Sequence, residues 1–436
     1  MASLQARTLN TLLAMVVISL VTAFIFQCAF LYYAGGLKAL NPFSLLSSFA
    51  NPNSIMDLSS ISLPAQAQWM LPASTVVLPF VQPPDLFIPP GTTLESLLEK
   101  PFHVHHQDFL DIIGLNPTLT KIADSGTNPM FHEAPVWYPP TDEVFFCQNA
   151  GAKAAGTGLN RSSVLQKVSV PQAVSVSHLR DATGQVKVDV VPFDPPVINP
   201  NGGTNYHGNF IFAGEGQGSQ VPPALYLANP VAPYNTTKLV NNYYGRQFNS
   251  VNDVAVNPAN GDIYFTDVTY GYLQDFRPEP VLPNQAYRLN AVTKALTAVA
   301  DDQINPNGIT FSPDGKYAYI TETGASMAFQ GYIQSRPAGI YRYTVAPDGT
   351  FENRKLFAHV TVRIADGIHC DNKGNVYAGC GDGVNVWNPS GVLLGKIFTG
   401  RTAANFQFTG DGRMIIMGAT HLYFATLGAK GAELSW

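Results

Sequence analysis

Residues 245–271 read GRQFNSVNDVAVNPANGDIYFTDVTYG. Val254 and Val256 alternate with Ala255 and Asn257, the period of two that turns successive side chains to opposite faces of a strand. Pro258, Ala259, Asn260 and Gly261 supply a turn, and residues 263–266 return, so the stretch reads as a β-hairpin. A polar pair, Asn252 and Asp253, stands where the chain enters the first strand. The layout recurs in residues 305–323, NPNGITFSPDGKYAYITET, where Asn307 precedes Ile309 and Phe311 and Pro313-Asp314-Gly315 makes the turn. It recurs again in residues 365–380, ADGIHCDNKGNVYAGC, with Asp366 at the same point.

Working outward, residues 133–146, EAPVWYPPTDEVFF, repeat the pattern with Glu133 at the entry. A less regular unit spans residues 205–229, and a sixth spans residues 404–427 with its turn at Gly410-Asp411-Gly412. Six self-similar units of short antiparallel strands mark a repeat architecture, and radial repetition of such units predicts an all-β, six-bladed β-propeller. Aligned by their turn glycines, with an extra turn residue in the first and third, the units superimpose Glu133, Asn252, Asn307 and Asp366; the sixth has Ala404 there, and the second does not align.

The 436 residues could hold two or three average domains, but a single large all-β domain is also allowed. A net charge of −5 with 13% charged residues gives no basic stripe and no support for nucleic-acid binding. The cysteines, Cys28, Cys147, Cys370 and Cys380, show no ligand spacing. Folding the 365–380 hairpin puts Cys370 beside Val376 rather than Cys380, so buried thiols are expected.

Residues 11–34 are an apolar run with Gln27 as its only strongly polar member. The run is longer than a signal h-region of about 7–15 residues and matches the ~20 needed to span a bilayer. It predicts an N-terminal hydrophobic helix acting as a signal anchor and attaching the chain to a membrane. Arg7 precedes it, which places the bulk of the chain outside the cytoplasm, or secreted if the run is cleaved. The sequons at Asn160 and Asn235 agree with export. The expected organisation is an anchor over 1–36, an extended Pro/Ser-rich arm with short helices near 93–99 and 107–113 over 37–125, and the propeller over 126–436. Residues 103–106, HVHH, have no partner ligands nearby and are expected in a solvated loop.

In a propeller the innermost strands all begin at one end of the channel, so equivalent entry residues converge on the axis. Two carboxylates, Glu133 and Asp366, and two amides, Asn252 and Asn307, suit a hard cation bound by oxygen and are poor for zinc or copper. Calcium, tolerant of irregular shells, is the expected ion, with another divalent cation as an alternative. Any one of these residues could instead be a local turn or cap; four register-matched oxygen-bearing positions favour the metal. A cation at the channel mouth can polarise a carbonyl, and a carboxylate at its edge can act as general base. Asp366 is the candidate base, because Glu133 is needed to hold the ion. No G-x-S-x-G elbow is present, so metal-assisted water attack fits better than a covalent acyl-enzyme. His207, His369 and His421 are possible accessory proton carriers.

These motifs, with NGGTNYHGNF from Asn201 and YGRQFNSVNDVAV from Tyr244, resemble the gluconolactonase, senescence-marker protein and luciferin-regenerating enzyme family, and within it the fungal lactonohydrolases. The resemblance covers roughly residue 101 to the C-terminus. It implies a six-bladed propeller with an axial calcium that hydrolyses lactones; a small lactone of aldonolactone type and a monomeric chain are expected. Glu133, Asn307 and Asp366 match the family's ligands, Asn252 a ligand or substrate contact, and Asp366 its base. Ala134 stands where the family commonly has glycine. The alternatives are a phosphotriesterase or arylesterase on the same propeller, a non-catalytic extracellular binding propeller with structural calcium, and, more remotely, strictosidine-synthase-like condensation.

Overall fold

The structure is a computed structural model that describes residues 62–70, 86–89, 91–179 and 186–433. Each repeat unit folds into one antiparallel sheet of at least four strands. The innermost strands are Glu133–Tyr138, Pro200–Tyr206, Val251–Val256, Pro306–Phe311, Ile368–Cys370 and Asn405–Phe408, which we number as blades I to VI. They neighbour one another in a closed ring, with blade VI against blade I. The fold is therefore the expected all-β, six-bladed propeller.

The core is not one mass but six layers, one between each pair of adjacent blades. Between blades I and II, for example, Tyr138 packs edge to face with Phe145 and Phe210, and Phe212 does so with Phe210 and Phe193. This explains why the strands read as nearly continuous apolar runs: a blade buries both faces. Ring closure uses chain that precedes the first blade. Thr118–Asp124 forms the outermost strand of blade VI, antiparallel to His421–Thr426.

Part of the expected arm also joins a sheet. Phe102–Val104 pairs with Leu393–Phe398 of blade V, and Ala67–Trp69 pairs in parallel with Phe102–Val104. Leu94–Glu99 is helical behind a Thr93/Ser96 capping box, and Phe109–Ile113 makes the second short helix. The solvated loop expected at residues 103–106 is corrected here. His103 is buried in the added strand, its Nε2 at 3.2 Å from the Leu97 carbonyl and its ring stacked on Phe398. Burial holds both His103 and His105 well below the usual imidazole range, at about 4 and about 3.

The chain divides into two units, 1–62 and 63–436, and only Ser62 of the first is among the described residues. The hydrophobic helix expected over residues 11–34 therefore lies outside them. Among the described residues, no helix is long and apolar enough to cross a membrane. Cys147, Cys370 and Cys380 are free buried thiols, and Cys370 faces Val376 across the hairpin.

Candidate metal centre

Strand register shows how the entry residues are placed. Val251 faces Asp267, Pro306 faces Glu322 and Pro200 faces Gly214; pairing then skips and resumes three residues later in each strand. The irregularity makes Asn252, Asn307 and Asn201 equivalent. Asn201 was invisible to alignment on the turns, yet the tripeptide Pro200-Asn201-Gly202 repeats Pro306-Asn307-Gly308 and was the available signal. In blade I the skip begins at Glu133 itself, so the ladder places Glu133 one residue earlier than the asparagines. Ala134 makes up the difference with a φ of +51°, in the left-handed region that favours glycine.

A ring of interblade hydrogen bonds fixes these entries. Cys147 Sγ lies 3.6 Å from the Asn201 carbonyl, and Asn201 Nδ2 donates to the Asn252 carbonyl at 3.2 Å. Thr266 donates to the Asn307 carbonyl at 2.7 Å and Thr321 to the Asp366 carbonyl at 2.9 Å. The Gly367 amide donates to Ala404 at 2.8 Å, and Asn405 Nδ2 closes the circle on Glu133 Oε2 at 2.7 Å. The backbone carbonyls at these entries are thus engaged with neighbouring blades, which leaves side-chain oxygens for the axis. The glycines that follow the entries have a use beyond hairpin turns. A Cβ on Gly308 would lie 2.4 Å from the Asp366 carbonyl oxygen, and one on Gly367 would lie 2.2 Å from the Asn405 side chain.

The structure brings Glu133 and Asp366 within hydrogen-bonding reach of each other, with Asn307 on Asp366. Burial, then the neighbouring Asp366 charge, pushes the Glu133 carboxyl well above the ordinary range. Burial raises Asp366 to about 7 against the opposing hydrogen bonds of Asn307 and Glu133, while Asp253 adds to the rise. Asp366 nonetheless keeps partial exposure, as a carboxyl at the floor of a mouth would. Asn252 is 3% exposed, and its Oδ1 is buried with no hydrogen-bond partner. Such an orphan acceptor costs about 1–3 kcal/mol unless something supplies positive charge. Among the described residues, no three His, Cys, Asp or Glu side chains gather at metal-binding distance. The donor set is instead two carboxylates and amide oxygens, which fits calcium and does not fit a soft metal.

The accessory histidines are not part of this donor set. His207 occupies the turn at the far end of the blade II hairpin, against Tyr206. His421 pairs with Asp124 at 3.1 Å on the outer part of blade VI. His369 lines a cavity of about 310 Å³ with Asp253, Asn405, Trp137 and Phe408. His207 and His421 do not join the entry cluster, whereas His369 reaches its edge through a hydrogen bond with the Asn405 side chain.

Two further groups support the site. Arg277 is buried and donates to the carbonyls of Val221 and Asn249 and to Gln247 Oε1, all within 3.2 Å, with Asp267 and Glu215 balancing its charge. Asp267 accepts from the Asn249 and Ser250 amides at 2.9 and 2.7 Å, so this pair sets the backbone leading into Asn252. Tyr270 is buried, with its hydroxyl 2.6 Å from Thr323 Oγ1 and close enough to feel the Asp366 charge.

Comparison with known proteins places the chain in a family. The family model described as the SMP-30/Gluconolactonase/LRE-like region matches residues 179–420, more than half of the chain. The chain is 31% identical over 347 residues to the lactonohydrolase oryL of Aspergillus oryzae, covering 74% of this chain and 73% of the relative. It is 24% identical to lactonohydrolase oryH of the same organism, over 69% and 74% of the two chains. The solved structure of a gluconolactonase from Xanthomonas campestris shares the fold, with a TM-score of 0.58 at 24% identity over 75% of this chain and 94% of that one.

Proposed function

Because the chain belongs to the SMP-30/gluconolactonase/LRE-like family, we propose that it opens a small lactone, of aldonolactone type, by water attack at a divalent cation held on the propeller axis. The observations that carry the reading are the buried, unpartnered Asn252 Oδ1 at the entry equivalent to Asn307 and the association of Asp366 with Asn307 and Glu133. Calcium is the ion this oxygen set suits. When bound, it would supply Lewis-acid polarisation of the lactone carbonyl.

The protein's own residues do the rest. Glu133 and Asn307 hold the centre. Asn252, at the equivalent entry of blade III, serves the ion or the substrate. Asp366, at the accessible edge, takes the proton from the attacking water as its oxygen bonds to the carbonyl carbon. The ring C–O bond then breaks, and the proton returns from Asp366 to the leaving alkoxide, giving the free hydroxy acid. An extracytoplasmic setting belongs to the proposal; the exposed side chains of Asn160 and Asn235 agree with it. The test is Asp366→Asn. Loss of a general base lowers turnover by about 10²–10⁴-fold. A variant that keeps its calcium and its hydrolytic rate would instead favour a binding propeller with a structural ion.

A further inference from the structure

Blade VI breaks the pattern of the ring. At the position where other blades present Asn201, Asn252, Asn307 or Asp366, it has Ala404, which offers no ligand. The next residue, Asn405, is buried and reaches across the seam between the last blade and the first. Its orientation is set: Oδ1 accepts the Phe406 amide at 2.8 Å, so Nδ2 is the atom turned to Glu133 Oε2, at 2.7 Å. Gly367 leaves the room it needs, because a Cβ there would overlap the Asn405 amide.

We propose that Asn405 is a positioning residue for the cation centre, turning the Glu133 carboxylate so that Oε2 is taken by the amide and Oε1 is left for the axis. The inference rests on the reading of the entry ring as a cation site. Blade VI thus contributes an orienting donor in place of a ligand. Glu133 and Asn405 lie 272 residues apart, so the carboxylate is correctly turned only once the ring has closed. Hydrogen bonds from such supporting groups to ligands commonly govern metal affinity by about 10–100-fold.

The experiment is a calorimetric calcium titration of the chelator-stripped full chain, at a temperature where circular dichroism shows every variant folded. Asn405→Ala is expected to bind calcium about 10–100-fold more weakly than wild type. Asn405→Ser serves if the alanine variant fails to fold: its hydroxyl can still accept from Phe406 but falls short of Glu133, and the same loss is expected. Asn205→Ala is the control. It removes a comparable buried bond, Asn205 Nδ2 to the Trp137 carbonyl at 2.9 Å, without touching Glu133. It should lower the denaturation midpoint and leave affinity unchanged. Wild-type affinity in both Asn405 variants would overturn the positioning role alone. A wild-type chain that binds no divalent cation would overturn the cation reading beneath it.

Discussion

Asn252 is the residue at which the metal reading and a purely structural reading part company. A buried amide retained for stability would have its oxygen hydrogen-bonded; this one does not. Asn252→Leu removes the orphan acceptor while roughly keeping the volume. In chelator the variant is expected to melt at or above the wild-type temperature, since an unpaired buried oxygen worth about 1–3 kcal/mol is gone. The stabilisation that calcium confers on wild type should shrink, because one ligand is lost. Differential scanning calorimetry with and without calcium checks both, and destabilisation in chelator would mean that the amide is structural. Glu133, Asn252, Asn307 and Asp366 were legible in the sequence because each stands before a strand at nearly the same distance from its turn, allowing one extra turn residue in the first and third units. Asn201 was not, because its blade carries a different turn. Asn405 was hidden for another reason: its role depends on a residue 272 positions away, a distance no local spacing can encode.

At the scale of the element, the repeated hairpin positions the site through its entry rather than its strands. The skip in pairing after Val251, Pro306, Pro200 and Glu133 frees the entry side chains from the ladder. Hydroxyl, thiol and amide donors from neighbouring blades then occupy the carbonyls. In blade III the approach to this entry is held by Arg277 and Asp267. Arg277→Met would remove the positive charge that opposes the burial of Asp267 and leave the Gly218 and Asn249 carbonyls without donors, at a cost of about 1–3 kcal/mol for each orphaned acceptor. Arg277→Lys keeps the charge but loses the fork that reaches several acceptors, and should recover only part of it. Chemical denaturation measures the loss, and two fully stable variants would show that the clamp is dispensable. This device was not legible beforehand, since Arg277 sits in a loop whose packing only the closed fold defines. The hairpins themselves were, because period-two alternation and Pro/Gly turns are local. Gly308 and Gly367, in Asn-Gly and Asp-Gly pairs, sit at entries rather than turns and permit blades to approach there.

For the whole molecule, six units forecast six blades, but the account of what precedes them needed the structure. Thr118–Asp124 and Phe102–Val104 are short and have weak patterns of their own, and they become strands because blades VI and V offer them edges. His103 is buried for the same reason. The ring that results brings Glu133 from the first blade against Asn405 from the last, so the proposed centre reports on closure of the entire propeller. The most direct test of the central claim is lactone hydrolysis by the purified full chain, measured across a panel of aldonolactones and related small lactones before chelation, after chelation and after calcium is restored. Turnover of at least one lactone should disappear with the metal and return as calcium reaches a single ion per chain. Hydrolysis indifferent to chelation, or no turnover of any lactone by the calcium-loaded protein, would contradict the account.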